Sequence, residues 1–238
     1  MLRVGVRLPA APSGIDDHLT HAIALETAGA DSIWLDEVSA PSEAGDPAAP
    51  AVEPWILYGA LAAVTHRIRL GVALGSSASS APAVFAPGLE SLGRLSGGRV
   101  VVSLSAGGEV QRHIDLMMRA RPDVSAPAIL IACSPYFKAE RYALLADGVI
   151  LIGGDEGRVA DVGAKMREFR EAGAHNKDFE LWAAVPLPAD RAGWAAMVGA
   201  HEAAGATGVV IAWDPRLIDL LRSAGKPDDR TDLLIAAG

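Results

Sequence analysis

A chain of 238 residues, half of them hydrophobic, can bury one large core, and an α/β barrel takes about 250 residues. Its formal net charge of −8 and isoelectric point of about 5.2 argue against nucleic acid or an anionic membrane as the main partner. The single cysteine, Cys133, excludes an intramolecular disulfide and a cysteine-based metal site.

In chain order, short runs rich in Val, Ile and Leu recur at Arg3–Leu8, Ser32–Asp36, Ile68–Leu74, Arg99–Ser105, Ala128–Cys133, Gly148–Ile152, Glu180–Leu187 and Gly208–Trp213. Most are nearly continuous in apolar character, as expected of strands covered on both faces of a parallel sheet. The segments between them carry helical spacing. Ile15, Leu19, Ala22 and Ile23 share one face of the first, and Val159, Val162, Met166 and Phe169 one face of a later one. Glycine precedes the next strand in ETAGADSIWL, LLADGVILI and HEAAGATGVVIA, where it is expected to end each helix in a left-handed turn. Gly97 and Gly98 read as a turn into the fourth strand. Eight strands alternating with eight helices, the last at Pro215–Ala224, predict a single (β/α)8 barrel domain over residues 1–238, with an open doubly wound sheet as the rival. Ala40–Ala51 reads as a loop, and the tail at 226–232 as surface. No run approaches the roughly 18 apolar residues of a membrane span, and MLRVGVRLPAAP is too short in apolar residues for a signal peptide, so the expected location is cytoplasmic.

In such a barrel the site lies at the C-terminal ends of the strands. That rule selects Asp36 and Glu37 after the second strand, Ser76 and Ser77 after the third, Ser103, Ser105 and Gly107 on the fourth, Cys133 and Ser134 at the fifth, Asp155 after the sixth and Asp214 after the eighth. The six histidines, His18, His21, His66, His113, His175 and His201, all fall on helices or helix ends. A Ser-His-Asp relay or a histidine-held metal is therefore not expected. Asp36 and Glu37 are neighbours on a strand and point to opposite sides, so they do not form a dyad. Each reads as an ion-pair partner or cap as readily as a catalytic group. Cys133 reads as a small core residue. Ser134, ahead of Pro135, suits the first turn of a helix, where it caps or holds a phosphate; Asp155 reads as the cap of the sixth helix.

Several stretches resemble the bacterial luciferase-like superfamily. THRIRLGVALGSSASSAP at 65–82 resembles its T-x-R-I-R-L-G-T strand and following loop. LSGGRVVVSLSAGG resembles its L-S-G-G-R-x-x-x-G-x-G-x-G segment, AGADSIWLDE its A-G-F-D-S-V-W-x-x-D-H segment, and PAILIACSPYFKAERYALLADGVILIGG its fifth-strand stretch. The motifs run in family order along most of the chain.

The resemblance implies a (β/α)8 barrel that binds FMN or the deazaflavin coenzyme F420 at the strand C-termini, for hydride transfer or monooxygenation of a small organic substrate. It places a bulge, often with a non-proline cis peptide, at Ala73, Leu74 and Gly75 behind the ring. It implies close cofactor approach at Ser105, Ala106 and Gly107, and a phosphate contact at Ser134. It also implies a homodimer, for which EPWILYGALAAV at 53–64 is apolar enough. Two family histidines are replaced, by Val38 and Ala81, which leaves Asp36 or Glu37 as the candidate substrate-orienting or proton-carrying groups. The long family insertion before the fifth strand is reduced to ARPDVSAP at 120–127, so the site should be open to water. The alternative reading is a barrel of the same descent that binds a cofactor or serves structurally, without turnover.

Overall fold

The computed structural model describes residues 1–9, 15–35, 54–74, 82–107, 110, 114–115, 127–136, 138–142, 144–172 and 179–223. Eight strands are present: β1 (Arg3–Leu8), β2 (Ser32–Leu35), β3 (Arg69–Leu74), β4 (Val100–Ser105), β5 (Ala128–Cys133), β6 (Gly148–Ile152), β7 (Glu180–Ala184) and β8 (Gly208–Ala212). They pair in parallel in the order β1 to β8 and close into a barrel. Counting from pair to pair around the ring brings the register back to β1 eight residues from its start, the stagger of a (β/α)8 barrel. The described helices are α1 (Ile15–Ala28), α2 (Pro54–Val64), α3 (Pro82–Leu95), α4 (Glu156–Ala172), α5 (Arg191–Ala203) and α6 (Leu217–Ser223).

Strand alternation divides the core in two. Val4, Val6 and Leu8 on β1, with the matching residues of the other strands, point outward against the helices and form the larger cluster. The bore is filled by a smaller one: Trp34, Val101, Leu130, Ile150, Trp182 and Val210. Glycine makes room for the two indoles. A Cβ on Gly71 would lie 2.2 Å from the Trp34 ring, and one on Gly208 would lie 2.5 Å from Trp182. Each tryptophan thus lies across the backbone of a strand that presents no side chain there.

Below this layer, at the N-terminal end of the strands, Glu180 accepts from Arg69 at 3.0 Å and from Trp182 Nε1 at 2.7 Å, and pairs with Arg3 at 3.2 Å. Burial works against the ionised carboxylate, but Arg69, the hydrogen bonds and Arg3 together hold Glu180 below the usual carboxylate range. Asp31, 3.7 Å from Arg69, goes the other way: its burial outweighs the same cations and raises it.

The turns that join the motifs are held by two side chains. Arg99, from the LSGGR stretch, donates to the carbonyls of Ala62, Thr65, Ile68 and Ser96 and to the Thr65 hydroxyl, at 2.7–3.0 Å. It thereby satisfies carbonyls at and beyond the end of α2. One oxygen of Glu26 accepts the backbone N–H groups of His66, Arg67 and Ile68 at 2.6–2.9 Å. Burial opposes that charge, but the three donors and Arg67 leave its pKa lowered.

Several expectations need correction. Between β5 and β6 the described residues hold one turn of 3₁₀ helix (Ala139–Tyr142), not an α-helix. Ser134 therefore leads into a turn and does not cap a helix. Gly29 and Gly205 end helices with φ of +93° and +90°, as expected, and Gly97 and Gly98 turn into β4 at +65° and +86°. Gly148 does not: it opens β6, where a Cβ would strike the Glu180 carbonyl. Ile23 and Phe169 are about half exposed, because the buried stripes run through His18, Ala22 and Leu25 on α1 and through Val159, Val162 and Met166 on α4. The loop at 40–51 and the tail at 226–232 lie outside the described residues.

Candidate functional site

Above the tryptophan layer, the C-terminal ends of the strands enclose a cavity of about 570 Å³. That is within the range of small-molecule sites, roughly 300–1,000 Å³. Its shape follows from the inward alternation. Beyond the bulky interior layer, the facing side chains on four strands are small: Ala73 on β3, Ser103 and Ser105 on β4, Ala132 on β5 and Ala184 on β7. Trp34, Ile150 and Val210 rise from below to make an apolar floor, and Ile152 makes a wall. Ala106 and Ser134 close the β4–β5 side, and Arg7 stands on β1.

Of the residues singled out from the sequence, Ala73, Ser103, Ser105, Ala106 and Ser134 line this cavity together. Leu74 points its side chain the other way, into the outer core, at 9% exposure. Gly107 adjoins Ala106, and a Cβ there would meet nothing within 4 Å, so packing does not demand glycine at this position. The Gly107 backbone is hydrogen-bonded by the Tyr142 phenol, whose own pKa burial raises. Asp36, Glu37, Gly75, Ser76 and Ser77 lie outside the described residues. The β3–β4 ladder runs unbroken from Leu70↔Val100 to Leu74↔Leu104, and no described peptide bond is cis. The remainder of the expected bulge falls outside the described residues.

Arg158, from the first turn of α4, ties the tips of β5 and β6 together. Its guanidinium donates to the carbonyls of Ile152 at 2.8 Å, Ser134 at 3.0 Å and Cys133 at 3.3 Å. Asp155 caps the same helix by accepting the Arg158 N–H at 2.8 Å, as expected. The clamp fixes the backbone on which Ser134 sits and puts a positive charge behind it. Cys133 is fully buried, and burial pushes its thiol up to about 12 against the pull of Arg158. It stays a thiol near neutrality and is no nucleophile.

The described histidines take no part in the cavity lining. His18 and His201 are core residues, with ring nitrogens 3.0 Å from the carbonyls of Pro9 and Met197, and His21 packs on Trp213 with ring centroids 4.3 Å apart. Among the described residues, no three His, Cys, Asp or Glu side chains are placed to hold a metal. Asp214 is spent on Arg216 at 3.0 Å.

Sequence reasoning missed Arg7 and Trp34. The signal was available in the two-residue period. Gly5 faces the bore, so Arg7 faces the mouth, and Trp34 is the register partner of Arg7.

Residues 1–115 match the family model of the luciferase-like monooxygenases. The matched residues span β1 to β4 of the barrel. Over 108 residues the chain is 34% identical to an F420-dependent glucose-6-phosphate dehydrogenase of Beutenbergia cavernae, an alignment covering 45% of this chain and 32% of that enzyme. The chain thus matches about a third of the length of that relative. Among solved structures, an F420-dependent secondary alcohol dehydrogenase in complex with an F420–acetone adduct superposes with a TM-score of 0.71 at 14% identity, over 93% of this chain and 96% of the other. A riboflavin lyase with modified FMN and riboflavin superposes with a TM-score of 0.59 at 18% identity, over 78% of this chain and 62% of the other. At these identities the structural likeness is one of fold. Both agree with the closed eight-stranded barrel seen here.

Proposed function

We propose that this luciferase-like barrel is an oxidoreductase that holds FMN or coenzyme F420 at the mouth formed by β3, β4 and β5 and acts on a small organic substrate. The observation that carries the reading is the cavity itself. Small side chains on successive strands leave space for a planar ring above an apolar floor, and Ser105 and Ser134 line its β4–β5 side. The residues present fit such a cofactor. Ala73 and Ala106 permit close approach; Gly75, next in sequence to Leu74, is a further proposed contact. Ser134 donates to the phosphate, with the Arg158 charge behind it. When bound, the cofactor supplies the redox chemistry, and the protein supplies binding and orientation. Asp36 and Glu37, which follow β2 in the sequence, are the proposed substrate-orienting or proton-carrying groups. The proposed location is the cytoplasm; among the described residues, no helix is long and apolar enough to cross a membrane. The proposed assembly is a homodimer through the outer face of α2, where Ile56 is 65% exposed; a monomer in sedimentation at micromolar concentration would reject it.

Fluorescence titration with FMN, riboflavin and F420 tests the cofactor assignment. Binding of FMN or F420, weakened about tenfold by Ser134→Ala for FMN but not for riboflavin, is the expected result. Failure of both cofactors to bind overturns it. A second reading, a barrel that binds the cofactor without turnover, is favoured by one observation: Arg7 is the only ionisable side chain among the described residues lining the cavity. Binding without reoxidation after supply of reductant and oxygen would select that reading.

A further inference from the structure

We infer that Ser103 sets what the floor of the mouth accepts, and that the group it accepts is a carbonyl oxygen, carried by the ring of the cofactor or by the substrate. The inference rests on the cofactor reading above and adds the polar contact at the buried end of the ligand. The ladder registers place Trp34, Ser103, Ile150 and Val210, on alternate strands, in one layer across the bore. All four line the cavity, and Ala73, Ala132 and Ala184 stand in the next layer above. In the L-S-G-G-R-x-x-x-G-x-G-x-G pattern that this stretch resembles, position 103 is glycine, so the hydroxyl belongs to this chain and not to the pattern.

Three of the four floor side chains have no polar group left for a ligand. Ile150 and Val210 are apolar, and Trp34 Nε1 donates to the Ser32 hydroxyl at 3.0 Å. Ser103 is 6% exposed, and its hydroxyl has no hydrogen-bond partner among the described residues. Its register neighbours, Ala73 and Leu130, offer no side-chain acceptor. A hydroxyl enclosed by apolar side chains is costly unless a second group takes its proton. The floor thus holds one side-chain proton to give. A carbonyl oxygen takes it and brings no proton of its own. An alcohol or amine brings a second donor to a layer with a single hydroxyl, and one of the two groups is left with an unbonded proton. A hydrocarbon leaves the Ser103 proton without an acceptor. Discrimination of this kind is strong because the site's own polar group is buried and goes unpaired with the wrong ligand.

The test measures acetophenone and α-methylstyrene, which has a methylidene group in place of the carbonyl oxygen, on the wild type and Ser103→Ala by ligand-observed NMR, with and without FMN or F420. Ser103→Ala should move either the acetophenone-to-methylstyrene affinity ratio or the cofactor affinity about fivefold against the carbonyl-bearing ligand. If the ring supplies the carbonyl, FMN or F420 binds about fivefold more weakly to Ser103→Ala, and its carbonyl infrared band moves to higher frequency. If the substrate supplies it, cofactor affinity is unchanged and the acetophenone ratio shifts with the cofactor bound. The ligand-free variant should keep the wild-type denaturation midpoint, since the hydroxyl makes no bond to the described fold. An unchanged ratio together with unchanged cofactor affinity overturns the inference, as does the failure of every probe to bind. A lower midpoint in ligand-free Ser103→Ala also overturns it, because the hydroxyl would then serve the fold. If neither cofactor binds but the acetophenone ratio depends on Ser103, the cofactor reading fails and carbonyl recognition at the floor stands.

Discussion

At the scale of the residue, Arg99 and Gly107, two positions of one motif, carry different expectations. Arg99 uses its guanidinium on four carbonyls and one hydroxyl, so Arg99→Met leaves several polar groups at the end of α2 without a donor. The expected cost is about 3 kcal/mol in denaturant unfolding, with little rescue by Lys, whose ammonium cannot span the same fork. Gly107 faces open space, so Gly107→Ala should change unfolding free energy by less than about 0.5 kcal/mol while weakening cofactor binding. A large stability loss in Gly107→Ala would show that the glycine serves the fold and not the ligand. The distinction was legible only in part beforehand. The second glycine cluster sits where a ligand belongs, but nothing local told that Arg99 turns back to the end of α2.

At the scale of the element, the strand tips are held apart and together by side chains from their helices. The β2–β3 ladder ends at Trp34↔Gly71, and there the buried Tyr58 of α2 donates to the Gly71 carbonyl at 2.5 Å. Its hydroxyl also bonds the backbone at Leu35 and Ala73, and burial drives its pKa well above the ordinary phenol value. Tyr58→Phe removes the bridge at the point where Ala73 enters the mouth. The expected loss is about 1–3 kcal/mol in unfolding, together with faster amide hydrogen exchange at Ala73. Strand positions were legible to within a residue or so at most boundaries, because both-face burial writes continuous apolar runs. The same continuity hides which residues face inward, so the Trp34–Trp182 layer and the inward face of Arg7 emerge only from the closed register. The turn after Ser134 was misread because Pro135 suits a helix start as well as a tight turn.

At the scale of the molecule, the carboxylates predict the acid limb of the stability curve. Glu26 and Glu180 have folded pKa values below their ordinary 4.5. Their contribution is present above that value and is lost as the pH falls through the depressed folded values. Asp31, raised by burial, opposes them weakly. Glu180→Gln should lower the melting temperature at pH 7 by breaking the contacts with Arg3 and Arg69. The gap from wild type should narrow steadily below pH 4.5. A gap independent of pH would mean that the carboxylate charge does not matter there. The indole pair across the bore has a further consequence. On one side of it lies an ionic base built on Glu180, Arg3 and Arg69, and on the other a lining in which alanine and serine predominate. Changes to that lining, at Ala132 or Ala184, can therefore accumulate without loosening the base, and one scaffold can trade ligands while its foundation stays as it is.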